Sequence, residues 1–360
     1  MAHLPQPIAR VRHALRTFLD RRRADGALDD GDLLLVACSG GADSLALASQ
    51  LAFLAPRSGL RGGLVTVDHR MQAGSGAQAR AVAQAGADFG LDPVLVRAAP
   101  ERAASEGTGP GAPPAGLGPE GTARRVRYAA LAQAAAETQA RAILLGHTME
   151  DQAETVLLGL LRGAGTRALA GMAPTRATYW RPLLGVRRAD TEAACAALGL
   201  TPWHDPTNAP DGPWRILAGG PLPRAAIRHH VLPATARALD QDPVPALART
   251  AELARVDSDY LDALARDHHH LIDTGPGGHL GAAVGDLTAL PQALRWRVLR
   301  ELLTRAGSAP RALTMAHVRE VDGLLTDWRG QAWVEVPGGL RVRRACGRLD
   351  AVAPPPMEKP

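Results

Sequence analysis

At 360 residues, 46% of them apolar and 21% charged, the chain has the length for two or three domains and the balance of a globular protein. Its three cysteines, Cys38, Cys195 and Cys346, include no CxxC pair and accompany no His cluster at zinc-ligand spacing, which argues against a disulfide framework and a structural zinc site. The formal net charge of +5, carried almost wholly by arginine, is a mild bias toward a polyanionic partner such as nucleic acid, and it equally fits a solvated Arg-rich surface.

The N-terminus, MAHLPQPIARVRHALRTFLDRRR, scatters arginines without a continuous apolar core or a small-residue cleavage site, so it reads as a cytoplasmic start and not as a secretion signal. No apolar run approaches the ~20 residues of a spanning helix, and no membrane partner is expected. From there to about residue 200, short apolar runs (DLLLVAC, GGLVTVDH, DPVLVRA, RAILLGH) alternate with Ala-rich helical stretches (42–55, 75–90 and 122–139). Strands rich in Val and Leu on both faces, joined by helices, predict a doubly wound parallel α/β sheet, whose ligands bind at the carboxyl ends of the strands.

The first strand ends at Ser39-Gly40-Gly41-Ala42-Asp43-Ser44. Two glycines allow a sharp turn with bare backbone N–H groups, and the helix that follows points its positive end at the same place, so the loop suits phosphate. A plain strand-to-helix turn capped by Ser39 or Ser44 explains the glycines as well. It does not explain Asp43 beside an anion site, unless a cation such as Mg²⁺ bridges the carboxylate and the phosphates. The loop lacks the lysine of a Walker A sequence and the spacing of GxGxxG. The second strand ends at Asp68 and His69, which should border the same edge.

Residues 99–121, rich in Pro, Gly and small side chains, read as a mobile insertion within the sheet domain. On the helix that follows, Arg124 and Arg127 stand at i and i+3 with Tyr128 beside them, as a solvated face or as phosphate ligands. The next strand ends at Gly146, and His147, Asp151 and Glu154 then recur at i, i+4 and i+7 on one stripe. Thr148 with Asp151 three residues on fits a capping box, which leaves Glu154 unaccounted for. The stripe suits a magnesium ion or a cationic amine.

Near 200 the alternation stops in a turn-dense connector, TPWHDPTNAPDGPWRILAGGPLP. The pattern is then helical from 224 to about 273, two further helices are expected over 286–327, and QAWVEVPGGLRVRRACGRL reads as a two-stranded hairpin turning at Pro337-Gly338-Gly339. His268-His269-His270 are consecutive on a helix and read as solvent-exposed, and the tail VAPPPMEKP as disordered.

SGGADS after a buried strand resembles the SGGxDS loop of the PP-loop, or N-type, ATP pyrophosphatases, enzymes of a HUP-like fold that split ATP between its α and β phosphates. GHTMEDQAET, continuing into LLRGAG at 160–165, resembles the corresponding stretch of the tRNA(Ile)-lysidine synthetase family. VDHRMQAGSGAQA (67–79), EGTARRVRYAAL (120–131), GMAP (171–174), RPLL (181–184), DPTN (205–208) and IRHHVLP (227–233) follow that family's order. Arg70 stands where the family usually has Gly, and Thr148 and Glu150 where it has His and Asp. Its Arg-Asn-x-x-Arg element is interrupted, so that either Arg215 or Arg224 takes the first arginine's place, ahead of Arg228.

The resemblance implies a ligase that uses ATP, Mg²⁺ and L-lysine to convert the wobble cytidine of CAU-anticodon tRNA(Ile) to lysidine. The cytosine O2 attacks the α phosphate and releases pyrophosphate, and the lysine side-chain amine then displaces AMP. It implies that Ser39, Gly40, Gly41, Ala42, Asp43 and Ser44 hold the pyrophosphate part of ATP, bordered by Asp68, His69, Arg127, Gly146 and His147. Asp43, Asp151, Glu154 and Arg124 would be catalytic, Asp43 and Asp151 would hold the metal, and Arg215, Arg224 and Arg228 would contact tRNA. The implied domains are a catalytic domain over 1–215, a helical linker and tRNA-binding region over 216–283, a small α+β tRNA-recognition domain over 284–352 and a disordered tail over 353–360. A homodimer is compatible with the family. Two other readings stay open: another PP-loop enzyme, such as a tRNA thiolase or an NAD- or GMP-type synthetase, and a module that holds ATP without turning it over. The absence of a CxxC pair disfavours thiolation.

Overall fold

The apolar run Leu33–Ala37 forms β1, and all five of its residues are buried. In the computed structural model the described residues are 4–68, 70, 74–98, 119–163, 165–206, 211–212, 215, 220–275, 277–310 and 312–352. They form two compact units, Met1–Leu158 with Gly171–Ala251, and Gly159–Ala170 with Glu252–Pro360. His69, Asn208, most of the Pro/Gly-rich stretch and the 353–360 tail lie outside the described residues.

The first unit carries α1 (Gln6–Ala24), β1, α2 (Ala42–Leu54), β2 (Arg61–Asp68), α3 (Ser75–Asp88), β3 (Val94–Ala98), α4 (Pro119–Thr138), β4 (Ala142–Leu145) and the start of α5 (Met149–Leu161). After α6 (Thr166–Leu169) come β5 (Thr175–Arg176), β6 (Tyr179–Trp180), α7 (Arg188–Ala197), α8 (Pro223–Ala226), one π turn (Ile227–Val231), α9 (Leu232–Leu239) and the start of α10 (Pro243–Asp267). The four strands and three helices expected before residue 150 are present. Helix α1 lies where only a charged start was expected, and its buried Ile8, Val11, Leu15 and Leu19 recur at helical spacing among arginines.

The strand order is β3-β2-β1-β4-β6-β5, parallel except for β5 at the edge. Alternate residues of β1 serve opposite layers, which is why the run is apolar throughout: Leu34 and Val36 join the core under α1, α2 and α7, while Leu33, Leu35 and Ala37 pack with Leu131, Ala134 and Ala135 of α4. The chain moves from β1 outward to β2 and β3, then returns to place β4 on the other side of β1. The switch point therefore falls between the carboxyl ends of β1 and β4, where the glycine loop and Gly146 meet.

The second unit ends in β7 (Asp273–Thr274), β8 (Leu280–Ala283), α11 (Val284–Ala289), α12 (Gln292–Arg305), α13 (Met315–Thr326), β9 (Val334–Val336), β10 (Leu340–Ala345) and β11 (Arg348–Val352). Three helices, not two, occupy 284–326, because Pro291 separates a short first one from α12. The expected hairpin is two turns of an antiparallel sheet in the order β7-β8-β11-β10-β9. Besides the turn at Pro337-Gly338-Gly339, Cys346 and Gly347 both adopt positive φ (48° and 75°), as a two-residue I′ turn requires, and fold β11 back on β10. The amphipathic faces of α12 and α13, including Leu299, Leu302, Val318 and Val321, cover Val342 and Leu349 of this sheet. Buried Arg295 donates to Asp322 at 2.6 Å and to the Leu290 carbonyl at 3.0 Å, which ties α12 to α13.

In the histidine triplet only His270 is exposed. His268 and His269 are half-buried, since the helix gives way there to a 3₁₀ turn over His269–Leu271. No helix among the described residues is long and apolar enough to cross a membrane.

Candidate active site

Beyond β1 the chain turns through Gly40, whose φ of +88° is open to glycine, and enters α2 at Gly41. The Ser44 hydroxyl shapes this loop: it donates to the Gly41 carbonyl at 2.9 Å and accepts the Ser39 N–H at 3.2 Å. The Gly40 carbonyl in turn accepts Trp203 N–H at 2.9 Å, and a Cβ on Gly40 would meet Gln78 Nε2 at 2.3 Å. The first N–H groups of α2, which as in any helix lack an intrahelical acceptor, open onto the turn. Gly146 closes it from the β4 side: a Cβ there would stand 3.0 Å from Asp43 and Ser44 backbone atoms. So Ser39, Gly40, Gly41, Ala42, Asp43, Ser44 and Gly146 come together. Asp68, at the end of β2, accepts the Arg70 N–H at 2.9 Å. Arg70 has a φ of 51°, a left-handed conformation natural to the glycine that the resembled family carries there.

One flank of the loop is cationic. Arg124 lies 5.0 Å over the Tyr128 ring, which packs edge-on against Tyr179 at 4.9 Å. Arg127 is half-buried, and burial pulls its guanidinium below the usual arginine range. Burial likewise depresses His147 to about 3, with Arg181, Arg127 and Arg124 adding to the effect against the opposing pull of Asp151. His147 is therefore a neutral imidazole, and its buried Nδ1 has no hydrogen-bond partner among the described residues, as also holds for Nε of Arg181. Two orphaned buried nitrogens among arginines are expected where an anion or a polar ligand completes the bonding.

The other flank is an ion-pair cluster. Asp151 takes the helix-capping role the sequence allowed, its Oδ2 accepting the Thr148 N–H at 2.8 Å at the start of α5. Its other oxygen accepts from Arg188 at 3.0 Å and from Arg228 at 3.2 Å. Burial opposes its ionisation, yet Arg188, the Thr148 N–H and Arg228 outweigh it and hold the carboxyl below the usual range. Glu154 is fully buried and accepts two bonds from Arg228, at 2.7 and 3.1 Å, with Arg224 at 3.6 Å and Arg188 at 3.8 Å. Asp43 faces the same cluster: Thr191 donates to its Oδ1, and Arg188 Nε lies 3.6 Å from Oδ2. Burial pushes Asp43 up to about 6 despite these contacts.

Arg228 reaches the cluster from the π turn, where the N–H of Leu232 bonds back to Ile227 and Pro233 supplies no N–H of its own. Ile227, Leu232 and Val244 pack there on Ala153 of α5, which sets Arg228 across from Glu154. Arg224 joins Arg228 at the carboxylates, and the Arg215 backbone forms an isolated bridge with Pro221. A cavity of about 250 Å³ opens beside the cluster, lined by Glu150, Glu154, Arg188, Arg228, Leu232 and Asp242 among others.

Arg188 is the residue the sequence reading missed, and it touches all three carboxylates. One signal was present: Arg187 and Arg188 sit at the N-cap and first position of α7, where the helix dipole disfavours cations. Such a pair implies strong local anions. Glu150 is one, accepting Arg187 Nε at 2.6 Å and the Arg188 N–H at 2.8 Å.

Comparison with known proteins adds to this geometry. Residues 10–235 match the family described as a PP-loop domain, and residues 283–349 the family described as a TilS substrate binding domain. A tRNA(Ile)-lysidine synthase of Salinispora tropica is 47% identical over 98% of this chain and 99% of its own length. That of Thermobifida fusca is 46% identical over 97% of this chain and 98% of its own. Among solved structures, the U34-tRNA thiolase NcsA of Methanococcus maripaludis, with its [4Fe-4S] cluster, superposes with a TM-score of 0.53 at 16% identity. That match covers 69% of this chain and 80% of the thiolase, a likeness of fold alone.

Proposed function

The chain belongs to the tRNA(Ile)-lysidine synthase family, a carbon–nitrogen ligase family acting on tRNA(Ile), and from that premise we propose how its cleft divides the work. ATP lies with its β and γ phosphates in the Ser39–Ser44 loop and its α phosphate toward the Arg124, Arg127 and His147 flank. There the orphaned Nδ1 of His147 finds a partner, and guanidinium groups steady charge as the wobble-cytidine O2 attacks phosphorus and pyrophosphate leaves. The second step needs an amine beside the adenylated cytidine. The ε-ammonium of L-lysine seats at Glu154 and Asp151, its chain in the adjoining cavity; it gives a proton to one of these carboxylates, and the free amine attacks C2 as the C2–O2 bond breaks and AMP leaves.

Among the described residues no three His, Cys, Asp or Glu side chains group as a protein-only metal cage. That fits Mg²⁺, which takes one or two carboxylates and completes its shell with phosphate and water. Asp43, in the first turn of α2 and beside the loop, would hold it. Bound there, it would neutralise the phosphates. The substrate is tRNA(Ile), bearing a CAU anticodon in this proposal, and the 283–349 region supplies its grip.

The observation that carries the reading is the opposition of a cationic, orphan-bearing flank to a carboxylate flank across one glycine loop, since the reaction needs a triphosphate and an ammonium side by side. The test follows pyrophosphate release and labelled-lysine uptake into a tRNA(Ile) transcript. Pyrophosphate release is expected to need ATP and tRNA and to turn over repeatedly only with lysine, lysine uptake to need all three substrates, and Asp43→Ala and Glu154→Ala should each cut lysine uptake at least 100-fold. Pyrophosphate release indifferent to tRNA and lysine would refute the reading.

A further inference from the structure

The carboxylate flank is charge-balanced by the protein's own arginines: Asp43, Asp151 and Glu154 face Arg188, Arg224 and Arg228. A lysine ammonium arriving there meets a neutral cluster, with guanidinium groups in the positions it must take. Arg188 differs from its two companions in spanning the whole site. Its Nε is 3.6 Å from Asp43 at the phosphate loop, its Nη2 3.0 Å from Asp151 and its Nη1 3.8 Å from Glu154 at the amine end. Its backbone is held, with the N–H on Glu150 at 2.8 Å and neighbouring Arg187 bridging Glu150 at 2.6 Å and Asp242 at 2.7 Å. Its side chain, one-fifth exposed, is the part left to turn.

We propose that Arg188 is a positioning residue that couples the two substrates: it occupies the amine subsite until phosphate in the loop draws its guanidinium away. The inference rests on the reading that Asp151 and Glu154 receive the lysine ammonium. A triphosphate offers Arg188 oxygens that pair bidentately with guanidinium. As it turns to them, Asp151 and Glu154 lose one of their cations, and the amine subsite acquires the negative charge that attracts ammonium. ATP and lysine then bind synergistically, and by linkage each strengthens the other by the same factor. The arrangement also keeps lysine from settling productively before ATP is in place. It makes an uncommon prediction, that deleting a cation improves the binding of another cation without nucleotide.

The experiment is calorimetric titration of L-lysine into the full chain, with and without saturating α,β-methylene-ATP and Mg²⁺. In the native protein the analogue should tighten lysine at least tenfold, about 1.4 kcal/mol, while norleucine, which lacks the side-chain ammonium, should gain nothing. Arg188→Gln should bind lysine more tightly than the native chain when nucleotide is absent, and its ratio with and without analogue should fall toward one. Arg188→Lys should keep a ratio above one. An Arg188→Gln ratio equal to the native one overturns the proposal, as does a norleucine gain equal to that of lysine, a comparison that needs no variant to fold. Lysine binding indifferent to the analogue overturns the coupling alone. No lysine binding in any state, with no lysine uptake into tRNA, overturns the functional reading with it.

Discussion

The pairing of Glu154 with Arg228 makes the sharpest energetic prediction. Glu154 is wholly buried on α5 and receives two hydrogen bonds from Arg228, whose side chain is 27% exposed. Breaking a buried pair by neutralising one partner costs about 3–5 kcal/mol, because the other charge stays desolvated. Two features lower that figure here. Arg228 keeps Asp151 as a second acceptor at 3.2 Å, and its exposed quarter admits water. Glu154→Gln should therefore destabilise the first unit by about 2–3 kcal/mol. Arg228→Gln should cost less, about 2 kcal/mol, because Arg224 and Arg188 still face the carboxylate. The double variant leaves two amides able to bond each other, so a coupling energy of about 1–2 kcal/mol should appear in the cycle. Urea denaturation of the four proteins measures it. Raising salt from 0.05 to 0.5 M should leave the coupling nearly unchanged, since a buried pair is poorly screened. Effects additive within ~0.5 kcal/mol, or a coupling that vanishes in salt, would show the pair to be a solvated surface contact and refute the placement of Glu154.

Three further outcomes follow from the loop and its flanks. Asp43 has a native value raised to about 6 from 3.8, so between those values the unfolded chain binds fewer protons than the native one and stability falls as pH rises through this window. About two units is worth up to about 3 kcal/mol, so Asp43→Asn should raise the thermal midpoint at pH 7 and leave it unchanged at pH 4 while abolishing pyrophosphate release; an equal shift at both pH values would contradict the assignment. Gly146→Ala, whose Cβ would press on the Asp43 and Ser44 backbone from 3.0 Å, should reduce adenylation at least tenfold with only about 1–2 kcal/mol lost in stability. Arg124 is exposed and lies 5.0 Å over the Tyr128 ring, so Arg124→Ala should raise the KM for ATP while denaturation stays within ~1 kcal/mol of the native chain.

What could be read from the sequence was what depends on local pattern. The Leu33–Ala37 run can only be a strand covered on both faces, and Gly40 with Gly41 after it can only be a tight turn into a helix. Asp151 and Glu154 were legible as a stripe because helical spacing is fixed. Their partners were not, since Arg188 and Arg228 lie 37 and 74 positions away and only the crossing of α7 and the π turn over α5 brings them in. The interrupted segment before residue 224 left Arg215 and Arg224 equivalent on paper, and the π turn beside Pro233 brings Arg224 and Arg228 to Glu154. In the C-terminal sheet the second turn was missed because Cys346, unlike Gly or Asn, gives little warning of a positive φ.

The charge arrangement also explains why the loop alone is a weaker functional signal than the loop with its two flanks. An anion site of glycines and a helix terminus attracts any phosphate. A buried carboxylate pair attracts any cation, and without a ligand it must be neutralised by the protein's own arginines. Asp43 stands where the two meet: it is on the phosphate loop by sequence and in the ion-pair cluster by contact, with Arg188 as the shared partner. On the proposed assignment, phosphate binding would perturb the amine subsite through a single side chain, over contacts of 3.0 to 3.8 Å. A site built this way gives up stability for responsiveness, since Asp43 is held partly against its ionisation. That cost falls when a cation arrives beside the carboxylate together with the anion, which makes the pair of substrates a better ligand than either one.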